Sequence, residues 1–278
     1  MLTISIDPVA FTVGRFDVRW YGIMAAIGVL ALLTLMFREA KRLGIRRDLY
    51  SIFLWGIIGG LVGGRLAYVI YYWEDFVAHP RDIIGLSGLA QNGMVLGIVA
   101  AALIYMGATR MRFSELLQIG DAFAVGAPVG LAMGRIGCTL NGCCHGIAAP
   151  DLPWAVVYTN PQSAALLLDV PVHPTQVYHV LWNLIVFAIV WRLRGRLKPE
   201  GSLVFLYFCI HAAGDLALRF LRYDRTVVLW GLDIAQLVNL VALLMFVPWL
   251  IIRMRRFRKQ ALAAQVANEA QPGQSRGY

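Results

Sequence analysis

Apolar runs long enough to cross a bilayer set the rhythm of this chain. Seven of them, at about residues 21–37, 49–72, 92–108, 116–133, 174–191, 202–221 and 232–252, are separated by short polar or basic stretches. A spanning helix needs roughly 17–25 apolar residues, and a helix satisfies its own backbone groups in lipid. The pattern predicts an all-α polytopic membrane protein of about seven transmembrane helices, forming one domain over residues 1–255. The second run carries Gly59, Gly60, Gly63 and Gly64, a spacing that lets two helices pack closely. Residues 1–19 alternate apolar and polar positions around Pro8 and Gly14, which suits an interfacial strand or loop. Residues 147–172 hold Pro150, Pro153, Pro161 and Pro171. They are expected to form an extramembrane loop, lid or small subdomain, with a short strand near 154–158. The tail, 256–278, is basic at first and expected to be disordered at its end.

Composition supports the membrane reading. Hydrophobic residues make up 59% of the chain and charged residues 15%, against about 45–50% and 25% in soluble domains. The mean hydropathy is +0.65. In a soluble protein the net charge of +9 would suggest nucleic acid. Here most of the 25 Lys and Arg residues follow the first, third, fifth and seventh runs. That bias reads as positive-inside topology and contact with anionic membrane lipid, with no nucleic-acid partner. It places the N terminus and residues 147–172 on the outer side, periplasmic if the membrane is a bacterial inner one, and the C terminus in the cytoplasm. Residues 1–17 lack the basic head, apolar middle and small-residue cleavage site of a leader, so the first run is expected to stay as an anchor.

One stretch breaks the apolar rule. Gly134-Arg135-Ile136-Gly137-Cys138-Thr139-Leu140-Asn141-Gly142-Cys143-Cys144-His145-Gly146 closes the fourth run with a cation, an amide, three thiols and an imidazole. Ionisable groups at bilayer depth cost several kcal/mol unless partnered, and mark functional sites. A polar pocket at the end of a membrane helix is the direct reading. Arg65, inside the second run, is either part of that function or a structural or snorkelling side chain. His211, Asp215, Arg219 and Arg222 recur at helical spacing in the sixth run, a polar stripe facing the bundle interior. Asp215 and Arg219 are expected to form an i, i+4 ion pair, and exchanging the two residues should preserve it. His211 and His145 are both candidate proton acceptors; a hydrogen-bonded structural histidine is the other reading of His211.

These residues carry a resemblance. Gly134-Arg135-Ile136-Gly137, then Asn141-Gly142 and Gly146, resembles the signature of the prolipoprotein diacylglyceryl transferase family. Arg19-Trp20-Tyr21-Gly22, Gly63-Gly64-Arg65 with Tyr68, His173-Pro174-Thr175-Gln176-Val177-Tyr178, and Arg222 resemble further pieces of it in the same order, over about residues 1–255. The resemblance implies a seven-span enzyme of the bacterial inner membrane. It would move the diacylglyceryl group of phosphatidylglycerol onto the lipobox cysteine of a preprolipoprotein, forming a thioether and releasing glycerol-1-phosphate. It implies no metal or organic cofactor. Its partners would be phosphatidylglycerol, lipobox peptides and the surrounding lipids.

Such a displacement needs cations on the leaving phosphate and a base for the thiol. Arginine suits phosphate through its planar fork. Arg135 is the first choice for the headgroup, with Arg219 and Arg65 behind it; interfacial snorkelling is the other reading of Arg135. Tyr21, Asn141 and Gln176 either orient the substrate or satisfy broken-helix backbone groups. Gly146 and Asn92 complete the candidate substrate-binding set, and Tyr21, His145, His211, Asp215 and Arg219 the catalytic one. The chain departs from the family pattern at several points. Asn92-Gly93-Met94 stands for His-Gly-Gly, Cys138 for Asn, Cys143 for Glu, and Asp215 with Arg219 reverses the family's order. Cys138, Cys143, Cys144 and His145 also fit a soft-metal set, although adjacent cysteines seldom reach one site. A disulfide from Cys138 to Cys143 or Cys144, or inert packing, are the other readings. No metal is assigned. The alternative function is a divergent paralogue using the Cys-Cys-His cluster for thiol redox or metal binding.

Overall fold

The protein is described from a computed structural model, covering residues 1–14, 16–83, 88 and 90–269. The side chains of residues 78, 81, 91, 92, 264 and 267–269 lie outside that description. Three strands open the chain: β1 (Leu2–Ile4), β2 (Val9–Val13) and β3 (Phe16–Arg19). Helices α1 (Trp20–Arg42), α2 (Leu49–Tyr71), the short α3 (Trp73–Ala78), α4 (Gln91–Ala108) and α5 (Phe113–Asn141) follow. After strands β4 (Val156–Tyr158) and β5 (Pro171–Val172) come α6 (Thr175–Leu193) and α7 (Ser202–Leu218). Strands β6 (Val227–Leu229) and β7 (Leu232–Asp233) then lead into α8 (Ile234–Glu269).

Among the described residues six helices are long and apolar enough to cross a membrane, and α4 adds a shorter apolar helix over Gly93–Ala108. The protein is a polytopic, mostly helical membrane protein. Its helices leave large apolar side chains such as Leu30, Ile70, Leu96 and Leu244 uncovered, an apolar surface suited to lipid. Three helices run beyond the spans expected from sequence, the first being α1, which ends at Arg42 and not at 37. Helix α5 runs past 133 to Asn141, and Gly137 in that extension packs against Tyr21 and Met24 of α1. Helix α8 continues beyond 252 into the basic tail as far as Glu269, while residues 270–278 lie outside the described residues.

The chain forms two compact units. The smaller, residues 44–119, is built on α2 against α4. Asp48 caps α2, its carboxylate accepting from Tyr50 N at 3.0 Å and Ser51 N at 3.3 Å. Gly59 and Gly63 meet Gly93 and Gly97 so closely that a Cβ on any of the four would strike the opposing backbone. That is the close helix approach expected from the spacing of small residues.

The larger unit, residues 1–43 and 120–278, carries the polar groups of the motif. Here α1 lies on α5 through Gly28, Gly126, Gly130 and Gly137, each facing backbone or Cβ atoms across the contact. Ala124, Val125 and Ala127 of α5 pack with Val186 and Val190 of α6 and Leu203, Val204 and Tyr207 of α7. Asp121 of α5 caps α7 from outside, accepting from Gly201 N at 2.6 Å and Val204 N at 2.9 Å. The expected strand near 154–158 is β4. It pairs parallel with β1 and antiparallel with β5, so the N-terminal segment and the 147–172 loop share one small sheet. Val156, Tyr158 and Val172 form its buried centre.

Candidate active site

The organising motif is the C-terminal end of α5 and the turn after it. Gly142 adopts φ +83°, and its N–H donates to Cys138 O at 2.9 Å, closing the helix in a left-handed cap. Cys144 also lies in the left-handed region, at φ +62°, which costs a non-glycine residue roughly 1–2 kcal/mol. The turn is held from outside. Thr175 Oγ1 donates to Cys144 O at 2.7 Å, and Gln176 Nε2 donates to Cys143 O at 2.9 Å and Tyr158 Oη at 3.1 Å. Thus the start of α6 fixes the two carbonyls that the end of α5 presents.

The three sulfurs of Cys138, Cys143 and Cys144 lie within 4.8 Å of one another. All four cysteines are free thiols, so the disulfide considered for Cys138 is not formed. The three thiols are coupled: ionising one of them, which Arg222 and Arg135 favour at Cys144, raises the other two.

His145 is buried and fully engaged. Its Nε2 accepts from Leu166 N at 3.0 Å and Leu167 N at 3.3 Å, and Nδ1 meets Gly146 O at 2.8 Å. This fixes the neutral Nδ1–H tautomer, and the ring stacks on Tyr223. His145 therefore holds the 166–167 backbone, and both of its ring nitrogens are occupied. Gly146 is equally committed. Its N–H donates to His173 O at 2.9 Å, and a Cβ there would meet His173 and Leu221.

The stripe on α7 forms the expected pair and more. Arg219 Nε donates to Asp215 Oδ2 at 3.0 Å, and its NH1 donates to Asp233 Oδ2 at 2.9 Å. Asp215 Oδ2 also accepts from Asn239 Nδ2 at 2.7 Å, and its Oδ1 stands 3.9 Å from His179 Nδ1. Asp233 and Gln236 cap α8 reciprocally, each backbone N–H donating to the other's side chain. Arg222 is buried against Asp224 in a two-pronged pair at 2.8 and 2.5 Å. Burial works against its charge, but that pair holds the guanidinium above its ordinary range.

Arg135 is different. It is half-buried, and among the described residues no carboxylate lies within ion-pair distance of it. Its charge reaches Tyr21, Cys144, His179 and His211. Among the described residues five buried polar atoms lack hydrogen-bond partners: Asn141 Oδ1, Gln176 Oε1, His179 Nε2, Asn183 Oδ1 and His211 Nδ1. The larger unit therefore brings together Tyr21, Arg135, Asn141, Gln176, His211, Asp215 and Arg219. Arg65 and Asn92 belong to the smaller unit. Arg65 donates to Ile83 O and Gly88 O at 3.0 Å and to Asp82 O, and lies over the rings of Tyr68 and Phe76. The side chain of Asn92 lies outside the described residues.

Comparison with known proteins now decides the family. Residues 8–252 match the family described as prolipoprotein diacylglyceryl transferase. The chain belongs to this family. A phosphatidylglycerol–prolipoprotein diacylglyceryl transferase of Dehalococcoides mccartyi is 37% identical over 259 residues, covering 92% of this chain and 97% of the relative. One from Clostridioides difficile is 31% identical over 242 residues, covering 86% and 92%. One from Nostoc is 32% identical over 265 residues, covering 90% and 92%. In this member of the prolipoprotein diacylglyceryl transferase family, two site residues escaped sequence reasoning. His179 shares a face of α6 with Gln176 and Asn183, at spacings of three and four in an apolar run. The rule that exposed the α7 stripe would have found it. Asp233 had no such signal, because its partner Arg219 lies on another element.

Proposed function

We propose that this protein transfers the diacylglyceryl group of phosphatidylglycerol to the lipobox cysteine thiol of prolipoproteins. It does so as a multi-pass protein of the bacterial inner membrane, with its N terminus periplasmic and its C terminus cytoplasmic. Family membership supports the reaction class. The observation that carries the site assignment is the charge balance of the arginines. Arg219 and Arg222 are neutralised by aspartates, while Arg135 has no carboxylate partner among the described residues. A half-buried cation of that kind suits the phosphate of the lipid headgroup, through a charge-assisted fork.

In this reading the thiol sulfur forms a bond to the glycerol carbon that carries the phosphate. The carbon–oxygen bond breaks, and glycerol-1-phosphate leaves with the electron pair, its charge met by Arg135. Tyr21, Asn141 and Gln176 orient the glycerol hydroxyls. His179, with Nε2 unpartnered and Nδ1 directed at Asp215, is the best-placed acceptor for the thiol proton, and His211 stands behind it. Asp215 and Arg219 hold that acceptor in position. Unpaired buried polar atoms cost about 1–3 kcal/mol each, and a polar headgroup would satisfy them.

The test is transfer of labelled diacylglyceryl to a lipobox peptide, with variants matched for expression and melting temperature. Arg135→Ala should lower the rate by about 10- to 150-fold, the equivalent of one charge-assisted bond of about 1.5–3 kcal/mol made in the transition state. Arg135→Lys should fall between, keeping charge without the fork. Full activity in Arg135→Ala would move the headgroup to Arg219 or Arg65. No transfer by the unmodified protein would favour the thiol-redox reading.

A further inference from the structure

We propose that Cys138, Cys143 and Cys144 bind one zinc ion through their three sulfurs and leave its fourth position open for a substrate thiol. The inference rests on the transferase reading for the identity of that thiol. Zinc–sulfur bonds of about 2.3 Å place tetrahedral thiolates about 3.8 Å apart. The three sulfurs already lie within 4.8 Å of one another, so closure needs inward movements of the order of 1 Å.

Adjacent cysteines ordinarily point apart. Here the left-handed backbone at Cys144, following that at Gly142, turns the second sulfur back toward the first. The backbone behind each ligand is also fixed. Gly142 N–H donates to the Cys138 carbonyl, Gln176 to that of Cys143, and Thr175 to that of Cys144. Outer-shell bonds of this kind pre-orient metal ligands. No fourth thiol, imidazole or carboxylate joins the group among the described residues. His145 is next in sequence, but both its ring nitrogens are in use. Three protein ligands with one position free is the arrangement of a catalytic zinc site, not a structural one.

The chemistry needs no oxidant or reductant. The lipobox sulfur takes the open position, and its proton passes to water. The zinc-bound thiolate uses a lone pair to form the carbon–sulfur bond. The carbon–oxygen bond to phosphate breaks, and the oxygen keeps its electron pair. The product thioether carries no charge and leaves the metal.

The experiment uses the full chain, purified in detergent without chelator and under reducing conditions. Metal analysis should give about one zinc per chain, and cobalt(II) replacing it should show sulfur-to-metal charge-transfer absorption. Serine at any one of the three positions should lower zinc affinity more than about 100-fold, beyond the 10- to 100-fold of a lost outer-shell partner. Cys209→Ser should not change it. A lipobox peptide with cysteine, and not its serine analogue, should shift the cobalt spectrum. Stripping the unmodified protein should abolish thioether formation, and zinc should restore it, a comparison that needs no substitution to fold. Copper in place of zinc, a disulfide among the three, or equal transfer by stripped protein overturns the proposal. If the zinc-loaded protein makes no thioether, yet the cobalt spectrum still answers to the cysteine peptide, it is the transferase reading that has failed.

Discussion

Replacing Asp215 probes the charge network that ties α7 to α8. Asp215→Ala removes one of the two carboxylates on Arg219 and the acceptor of Asn239. Breaking a buried pair costs about 3–5 kcal/mol when a charge is left unpaired. Arg219 keeps Asp233 at 2.9 Å, so the loss should lie near the lower end, about 3 kcal/mol. Asp215→Asn retains an oxygen for Arg219 and Asn239. It gives up only the difference between a charged and a neutral hydrogen bond, about 1 kcal/mol. The structure also corrects the expectation that exchanging the two residues preserves the pair. With Arg219→Asp, an aspartate at 219 would face Asp233, and with Asp215→Arg, an arginine at 215 would face the amide donor of Asn239. The exchange variant should therefore be no more stable than Asp215→Ala. Denaturant unfolding in detergent micelles, followed by tryptophan fluorescence, measures all three. A stable exchange variant, or an alanine variant losing less than about 0.5 kcal/mol as an ordinary surface change would, would falsify the two-carboxylate account.

Three further outcomes follow from particular contacts. Gly97→Val should destabilise the 44–119 unit by about 1–3 kcal/mol through overpacking against Gly59, read as a lowered unfolding midpoint, while Gly107→Ala, with open space around it, should not. His145→Ala strips the acceptor from two backbone N–H groups, so it should cost at least about 2 kcal/mol and speed proteolysis near 166–167. Burial pushes the Tyr158 phenol above its ordinary value. Its contribution is thus complete below the unfolded value of about 10 and is lost as pH rises beyond it. Tyr158→Phe should flatten that alkaline decline, at the loss of about 1 kcal/mol from the Gln176 bond, checked by unfolding midpoints at neutral and alkaline pH.

What could be read from sequence was local. The apolar runs revealed the helices because lipid imposes a length and a composition on each. Asp215 and Arg219 were legible as a pair because both sit on one helix, four residues apart. The pairing of β1 with β4 was not legible, because it joins segments more than 150 residues apart, Leu2 N–H donating to Ala155 O at 3.0 Å. Nor was the role of His145, whose partners are main-chain groups of Leu166 and Leu167 and leave no trace in side-chain identity. The convergence of three thiols depended on a backbone angle at Cys144 that only the folded turn displays.

Asp233 also makes the protein answerable to its lipid. The residue is both the N-cap of α8 and the second carboxylate on Arg219. The apolar part of that helix, residues 234–252, is about 28 Å long at 1.5 Å per residue, close to a hydrocarbon core of about 30 Å. In a thinner bilayer such a helix accommodates by tilting. Tilting α8 swings its capped end and carries Asp233 toward or away from Arg219. Acyl-chain length, and with it bilayer thickness, thereby sets how firmly Arg219 and Asp215 are held.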